Sequence, residues 1–164
     1  MKTLLLLRHA KSSRDELGLL DFDRPLAPRG RKDAPRIGKE LKKRKLLPDL
    51  IIASPAIRAK ETIEAVIQAA NLDLSPQFDE SIYGASSDQL LALVRLIPDR
   101  GSCVLLVGHN PGFEELVEQL TGASQQMPTA AVSCIEFQVD HWQEVQENSG
   151  KLAWLMTPKQ LDDQ

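Results

Sequence analysis

The chain reads as an α/β protein on a mainly parallel sheet. Three observations lead there. Thr3-Leu4-Leu5-Leu6-Leu7, Leu50-Ile51-Ile52-Ala53 and Cys103-Val104-Leu105-Leu106-Val107 are short, continuous aliphatic runs, the pattern of strands covered on both faces of a parallel sheet. Segments of helical periodicity follow the strands, giving a β-α-β-α beginning. The first and third runs end directly in Arg8-His9 and Gly108-His109, and the carboxyl ends of strands in open α/β sheets face the crevice where ligands bind.

The elements follow in order. After the first strand, the polar stretch Lys11 to Pro28 reads as a long loop of the kind that carries function. A helix is expected from about Arg29 to Lys45, with Ala34, Ile37 and Leu41 on its apolar face and Pro48 as its stop. Leu50–Ala53 is a short buried strand. Ser54-Pro55 then looks like an N-cap followed by an N1 proline, opening a helix with the stripe Ile63, Val66, Ile67 and Ala70. Ser75 to Ala85 reads as a short extended stretch and a loop. Ser86 with Gln89 makes a capping box for a helix through Leu90, Leu91, Val94 and Leu96 that ends before Pro98. Asn110-Pro111 repeats the cap-and-proline device ahead of Phe113, Leu116, Val117 and Leu120. Ile135, Phe137 and Val139 alternate with polar residues, and a last strand covers Leu152 to Met156, so the chain ends in two strands with antiparallel neighbours.

A length of 164 residues and 42% hydrophobic content suit one domain, 1–164, with a single core. The formal charge of −3 gives no reason to expect nucleic acid or an anionic membrane as partner. The apolar start is cut short by Arg8, too early for a signal peptide, and no stretch approaches a membrane span. Cys103 and Cys134 lie in apolar strands without metal-ligand spacing, so they read as buried thiols in a reducing compartment, the cytoplasm by default.

Arg58 is the third element of a candidate site. It falls in the first turn of the helix opened at Ser54, where a cation opposes the helix dipole by roughly 0.3–1 kcal/mol. A bound anion removes that conflict, since helix N-termini and arginine forks both bind phosphate. Arg8, His9, Arg58 and His109 together suggest phosphoryl transfer with a histidine nucleophile. Two nearby arginines keep an imidazole neutral, and their charge stabilises the equatorial oxygens. In this scheme His9 attacks phosphorus, Arg8, Arg58 and His109 hold the phosphoryl oxygens, and water completes the turnover. No P-loop and no carboxylate cage appears, so neither metal nor cofactor is expected.

Leu7-Arg8-His9-Ala10, Ser54-Pro55-Ala56-Ile57-Arg58-Ala59-Lys60-Glu61-Thr62 and Val107-Gly108-His109-Asn110-Pro111 resemble, in order and spacing, the signatures of the histidine phosphatase superfamily (branch 1, phosphoglycerate mutase-like). The short length, the Arg8-His9-Ala10-Lys11-Ser12 start and the stretch Asp21-Phe22-Asp23-Arg24-Pro25-Leu26 look like its SixA-type phosphohistidine phosphatases. The resemblance implies a three-layer α/β/α sandwich with a mostly parallel central sheet and helices on both faces. It also implies His9 as nucleophile, with Arg8, Arg58 and His109 in a pocket that takes phosphate or sulfate. The implied substrate is a histidine-phosphorylated protein such as a phosphotransfer domain. At position 10 alanine stands where the superfamily usually has glycine.

Glu80, in Phe78-Asp79-Glu80-Ser81-Ile82-Tyr83-Gly84, is similar to the segment that supplies a proton donor in mutase-like members; an exposed loop carboxylate is the competing reading. Ser12 and Arg24 have the reach to bind substrate from the first loop, although turn structure also explains them. Arg24 to Lys45 holds ten of the 20 Lys and Arg residues. Lys42 and Lys43 read either as a solvated face or as a surface for an acidic partner. Beside phosphohistidine protein phosphatase, two further functions remain open at this stage: a small-molecule phosphomonoesterase or mutase, and a non-catalytic phosphoprotein-binding module.

Overall fold

A computed structural model describes residues 1–15 and 17–162. Strands β1 (Lys2–Arg8), β2 (Leu50–Ala53), β3 (Gln77–Phe78), β4 (Cys103–Gly108), β5 (Val132–Phe137) and β6 (Gly150–Met156) form one sheet in the order β3-β2-β4-β1-β5-β6. The first four strands run parallel; β5 pairs antiparallel with β1, and β6 antiparallel with β5. The register sets Leu7 beside Val107 and Arg8 beside Gly108. Two distant segments therefore leave the sheet at the same level.

Helices α1 (Pro28–Lys43), α2 (Ile57–Ala70), α3 (Ser87–Arg95) and α4 (Gly112–Thr121) cover both faces, and a short α5 (Pro158–Asp162) follows β6. Leu5 and Leu7 point towards Ile37, Leu41, Ile63 and Val66 of α1 and α2. Leu4 and Leu6 meet Leu90, Val94, Phe113 and Leu116 of α3 and α4. Alternate residues of one leucine run thus feed two cores, which makes the expected three layers. All four leucines are fully buried, each stabilising the fold by about 1.5–3 kcal/mol.

Close backbone approach explains two glycines. A Cβ on Gly108 would meet the Phe113 ring at 2.6 Å, and one on Gly30 would collide with the Lys11 carbonyl oxygen. The first lets α4 pack beneath the end of β4. The second lets the start of α1 abut the loop after β1.

Several local expectations are corrected. Ala56, not Ser54, is the residue before α2, and the helix begins at Ile57. Asn110 does not cap α4, which starts at Gly112; its side chain instead donates to the Met127 carbonyl at 2.9 Å. Both side chains are diverted to the site described below. The α1 helix stops at Lys43, ahead of Lys45. Strand β5 ends at Phe137 and leaves Val139 outside it. Cys134 is buried as expected, whereas Cys103, at the start of β4, is only half-buried. The capping box of Ser86 and Gln89 forms as read. Among the described residues no helix is long and apolar enough to cross a membrane.

Candidate active site

The carboxyl ends of the parallel strands converge. His9 follows β1, His109 follows β4, and Arg58 stands in the first turn of the helix after β2. The two imidazole rings lie 5.1 Å apart, centre to centre, although the residues are far apart in sequence. They line a polar pocket of about 320 Å³ with Arg8, Lys11, Ser12, Arg14, Asp21, Arg24, Arg58, Asn110 and Thr129. A larger cavity of about 510 Å³, between Phe78 and Leu96, is mostly apolar and contains neither imidazole nor guanidinium. Chemistry, not size, singles out the polar pocket.

His9 is held from several sides. Its N–H donates to the Gly108 carbonyl at 3.1 Å, and its own carbonyl accepts from Ala130 N–H at 3.0 Å. The ring Nδ1 lies 2.8 Å from the Ala10 carbonyl oxygen. Only a protonated Nδ1 makes that a bond, so the lone pair of the neutral ring is on Nε2. Arg58 Nε–H donates to that Nε2 at 3.3 Å. Burial, reinforced by His109, Arg58 and Arg8, lowers the His9 pKa to about 3. The ring is neutral at physiological pH.

Ala10, the departure from the usual glycine, does not adopt a positive φ. Its N–H donates to Thr62 Oγ1 at 3.0 Å, and the Thr62 hydroxyl donates to the Arg58 carbonyl at 2.6 Å. One hydroxyl thereby ties the backbone that orients His9 to the helix turn that carries Arg58. Thr62 is four residues after Arg58, one helical turn, so its hydroxyl reaches back along the same face.

Arg8 Nη1 donates to the Met127 carbonyl at 3.0 Å. His109 Nε2 lies 2.8 Å from the Ser54 hydroxyl, which also accepts Ala56 N–H at 3.2 Å. Burial, then Arg58, lowers the His109 pKa to about 4. Arg8 Nε and His109 Nδ1 are buried without a hydrogen-bond partner among the described residues.

Asp21 is the one carboxylate on the pocket wall among the described residues. It accepts from Tyr83 O–H at 2.6 Å, Arg24 Nη1 at 2.7 Å and Arg58 Nη2 at 3.0 Å, and its backbone carbonyl accepts Arg58 Nη1 at 2.7 Å. The Tyr83 hydroxyl first, then both arginines, hold this carboxyl well below the usual carboxylate range.

The other expected residues are distributed as follows. Ser12 and Arg24 reach the pocket wall, but Arg24 bonds the Ser12 hydroxyl, the Ser13 carbonyl at 3.1 Å and Asp21, so these groups brace the loop. Glu80 is exposed on a short 3-10 turn, Glu80–Ile82, and does not line the pocket; its neighbour Tyr83 reaches Asp21 instead. Lys42 and Lys43 are exposed at the far end of α1, away from the strand ends that carry the site. Asp21, Tyr83, Thr62 and Ser54 were not read from the sequence as parts of the site. Asp21 had a signal in the stretch before Arg24-Pro25, and Ser54 in its place at a strand end.

Comparison with known proteins agrees with this geometry. A family profile, the histidine phosphatase superfamily (branch 1), matches residues 4–94. An uncharacterized chloroplast protein of Arabidopsis thaliana is 33% identical over 93% of this chain and 74% of its own length. A crystal structure from Agrobacterium tumefaciens, provisionally named phosphohistidine phosphatase SixA, superimposes with a TM-score of 0.83 at 28% identity, covering 96% of this chain and 98% of the other. The structure of the protein histidine phosphatase SixA complexed with tungstate has a TM-score of 0.79 at 24% identity, covering 97% and 99%, and bears on the fold. With more than half of its length matched, the chain belongs to branch 1 of the histidine phosphatase superfamily.

Proposed function

We propose that this protein is a phosphohistidine protein phosphatase that carries the phosphoryl group transiently on Nε2 of His9. The Nε2 lone pair forms the new N–P bond as the P–N bond to the substrate imidazole breaks; that ring, already protonated on its other nitrogen, keeps the bonding electron pair and leaves as neutral imidazole. Water then attacks phosphorus, releasing phosphate and restoring neutral His9. Arg8 and Arg58 offset the charge on the equatorial oxygens, so the scheme contains no metal step.

The observation that carries the substrate class is the state of the acids. Expelling an alkoxide requires a proton donor in the pocket, whereas a phosphohistidine ring protonated on its other nitrogen releases neutral imidazole, whose conjugate acid has an ordinary pKa near 6.5, with little help. Among the described residues the pocket wall offers no acid poised for this at neutral pH. Asp21 is held ionised, His109 is held neutral with its pKa at about 4, and Glu80 is off the pocket wall. The SixA name of the Agrobacterium relative supports the same reading.

The test compares kcat/KM on a phosphohistidine-bearing phosphotransfer protein with kcat/KM on a panel of alkyl phosphates. The reading expects the phosphohistidine protein to be favoured by at least about a hundredfold, the lower end of what a general acid contributes. Equal rates, or faster turnover of an alkyl ester, would instead make the protein a small-molecule phosphomonoesterase.

A further inference from the structure

The pocket carries more positive charge than a phosphoryl group uses. Among the described residues its wall holds five cationic side chains, Arg8, Lys11, Arg14, Arg24 and Arg58, against one carboxylate, Asp21. Arg24 is spent on Asp21 and the loop, and Arg8 and Arg58 flank the His9 ring. Lys11 and Arg14 remain. Both are exposed, and neither has an ion-pair partner among the described residues. Two unpaired cations at the lip of an anion pocket raise the local concentration of a substrate with further negative charge beside its phosphoryl group.

Apolar side chains are exposed close by in sequence. Leu17, Leu19 and Leu20, between Arg14 and Asp21 in the chain, are exposed, and Tyr83, hydrogen-bonded to Asp21, is partly exposed. Exposed leucines next to a charged cleft mark contact with a protein surface; a small polyphosphate has no use for them.

We infer that Lys11 and Arg14 form an accessory subsite for carboxylates flanking the phosphohistidine of a protein substrate. This inference rests on the function proposed above and narrows it to acidic phosphohistidine surfaces. It places recognition at the pocket lip and not at Lys42 and Lys43.

Two phosphohistidine peptides of equal length, one with glutamate on both sides of the phosphohistidine and one with glutamine, test it. Wild type is expected to prefer the acidic peptide by about 5–10-fold in kcat/KM, as two exposed charge pairs allow, mainly through KM and less so as salt rises. Lys11→Gln with Arg14→Gln is expected to bring the two peptides within about twofold, with the thermal midpoint unchanged because both side chains are exposed. Binding of both peptides to the full chain carrying His9→Ala, with and without the two lip substitutions, is measured alongside. If neither peptide is hydrolysed, the proposed function falls, and the binding preference alone then decides the inference. Equal treatment of the peptides by wild type, a preference that survives the double substitution, or a Lys11- and Arg14-dependent preference for pyrophosphate over phosphate without one between the peptides, each overturns it.

Discussion

Arg58 donates its Nε–H to Nε2 of His9 across 3.3 Å, although the two are 49 positions apart in sequence. The contact has two consequences. It orients a guanidinium beside the lone pair that meets phosphorus, and it opposes protonation of that nitrogen, because a protonated Nε2 would turn one N–H against another. Phosphorus approaching Nε2 must displace this donor, which leaves Arg58 beside the transferring group.

The lowered histidine pKa values link stability to pH. Burial first, then His109, Arg58 and Arg8, takes His9 from 6.5 to about 3, and burial with Arg58 takes His109 to about 4. Between those values and 6.5 the unfolded chain binds protons that the folded chain refuses, so stability falls as pH falls through that window. His141, raised by Asp99, acts in the opposite direction. The difference between wild type and His9→Gln therefore isolates the effect. The thermal midpoint of wild type is expected to fall more than that of His9→Gln between pH 7 and pH 5; parallel curves would show that His9 titrates normally.

Asp21 occupies Arg58 and places negative charge on the wall of an anion pocket. Replacing it with asparagine removes the repulsion but loosens the guanidinium. Inorganic phosphate is expected to inhibit Asp21→Asn about threefold more tightly while kcat falls about tenfold, a split consistent with charge repulsion and lost positioning acting separately. Unchanged inhibition would mean that the carboxylate does not face the bound anion.

Glu80, attractive as a proton donor from its sequence context, is exposed and off the pocket wall. Glu80→Gln is expected to change hydrolysis of phosphohistidine protein and of alkyl phosphates by less than about twofold each, as for an ordinary surface substitution. Selective loss on alkyl phosphates would return Glu80 to the chemistry.

Thr62 is fully buried and joins Ala10 N–H to the Arg58 carbonyl. Thr62→Val keeps the shape and strands the Ala10 donor, at a cost of about 1–3 kcal/mol in stability. Thr62→Ser keeps the hydroxyl. Denaturant unfolding together with kcat is expected to show loss in both quantities for valine and recovery of kcat for serine. Equal kcat in the two variants would limit Thr62 to packing.

Much of this was legible in the sequence because periodicity and strand ends are local signals. The aliphatic runs of β1, β2 and β4 announced buried parallel strands, and their termini announced Arg8, His9 and His109. What the sequence concealed was set by contacts between remote segments. Ser54 and Asn110 have the composition of helix caps, yet His109 and Met127 compete for their side chains and win. Glu80 and Asp21 are both carboxylates near plausible loops. Only the fold decides that Tyr83, three residues after Glu80, turns towards Asp21.

The central claim is a covalent phosphoryl group on His9. Brief incubation with a radiolabelled phosphohistidine protein, followed by an alkaline quench, should leave label on wild type that is lost in mild acid, as a phosphoramidate requires. His9→Ala should carry none. Acid-stable label, equal label on His9→Ala, or turnover without any trapped label under single-turnover conditions would contradict the account.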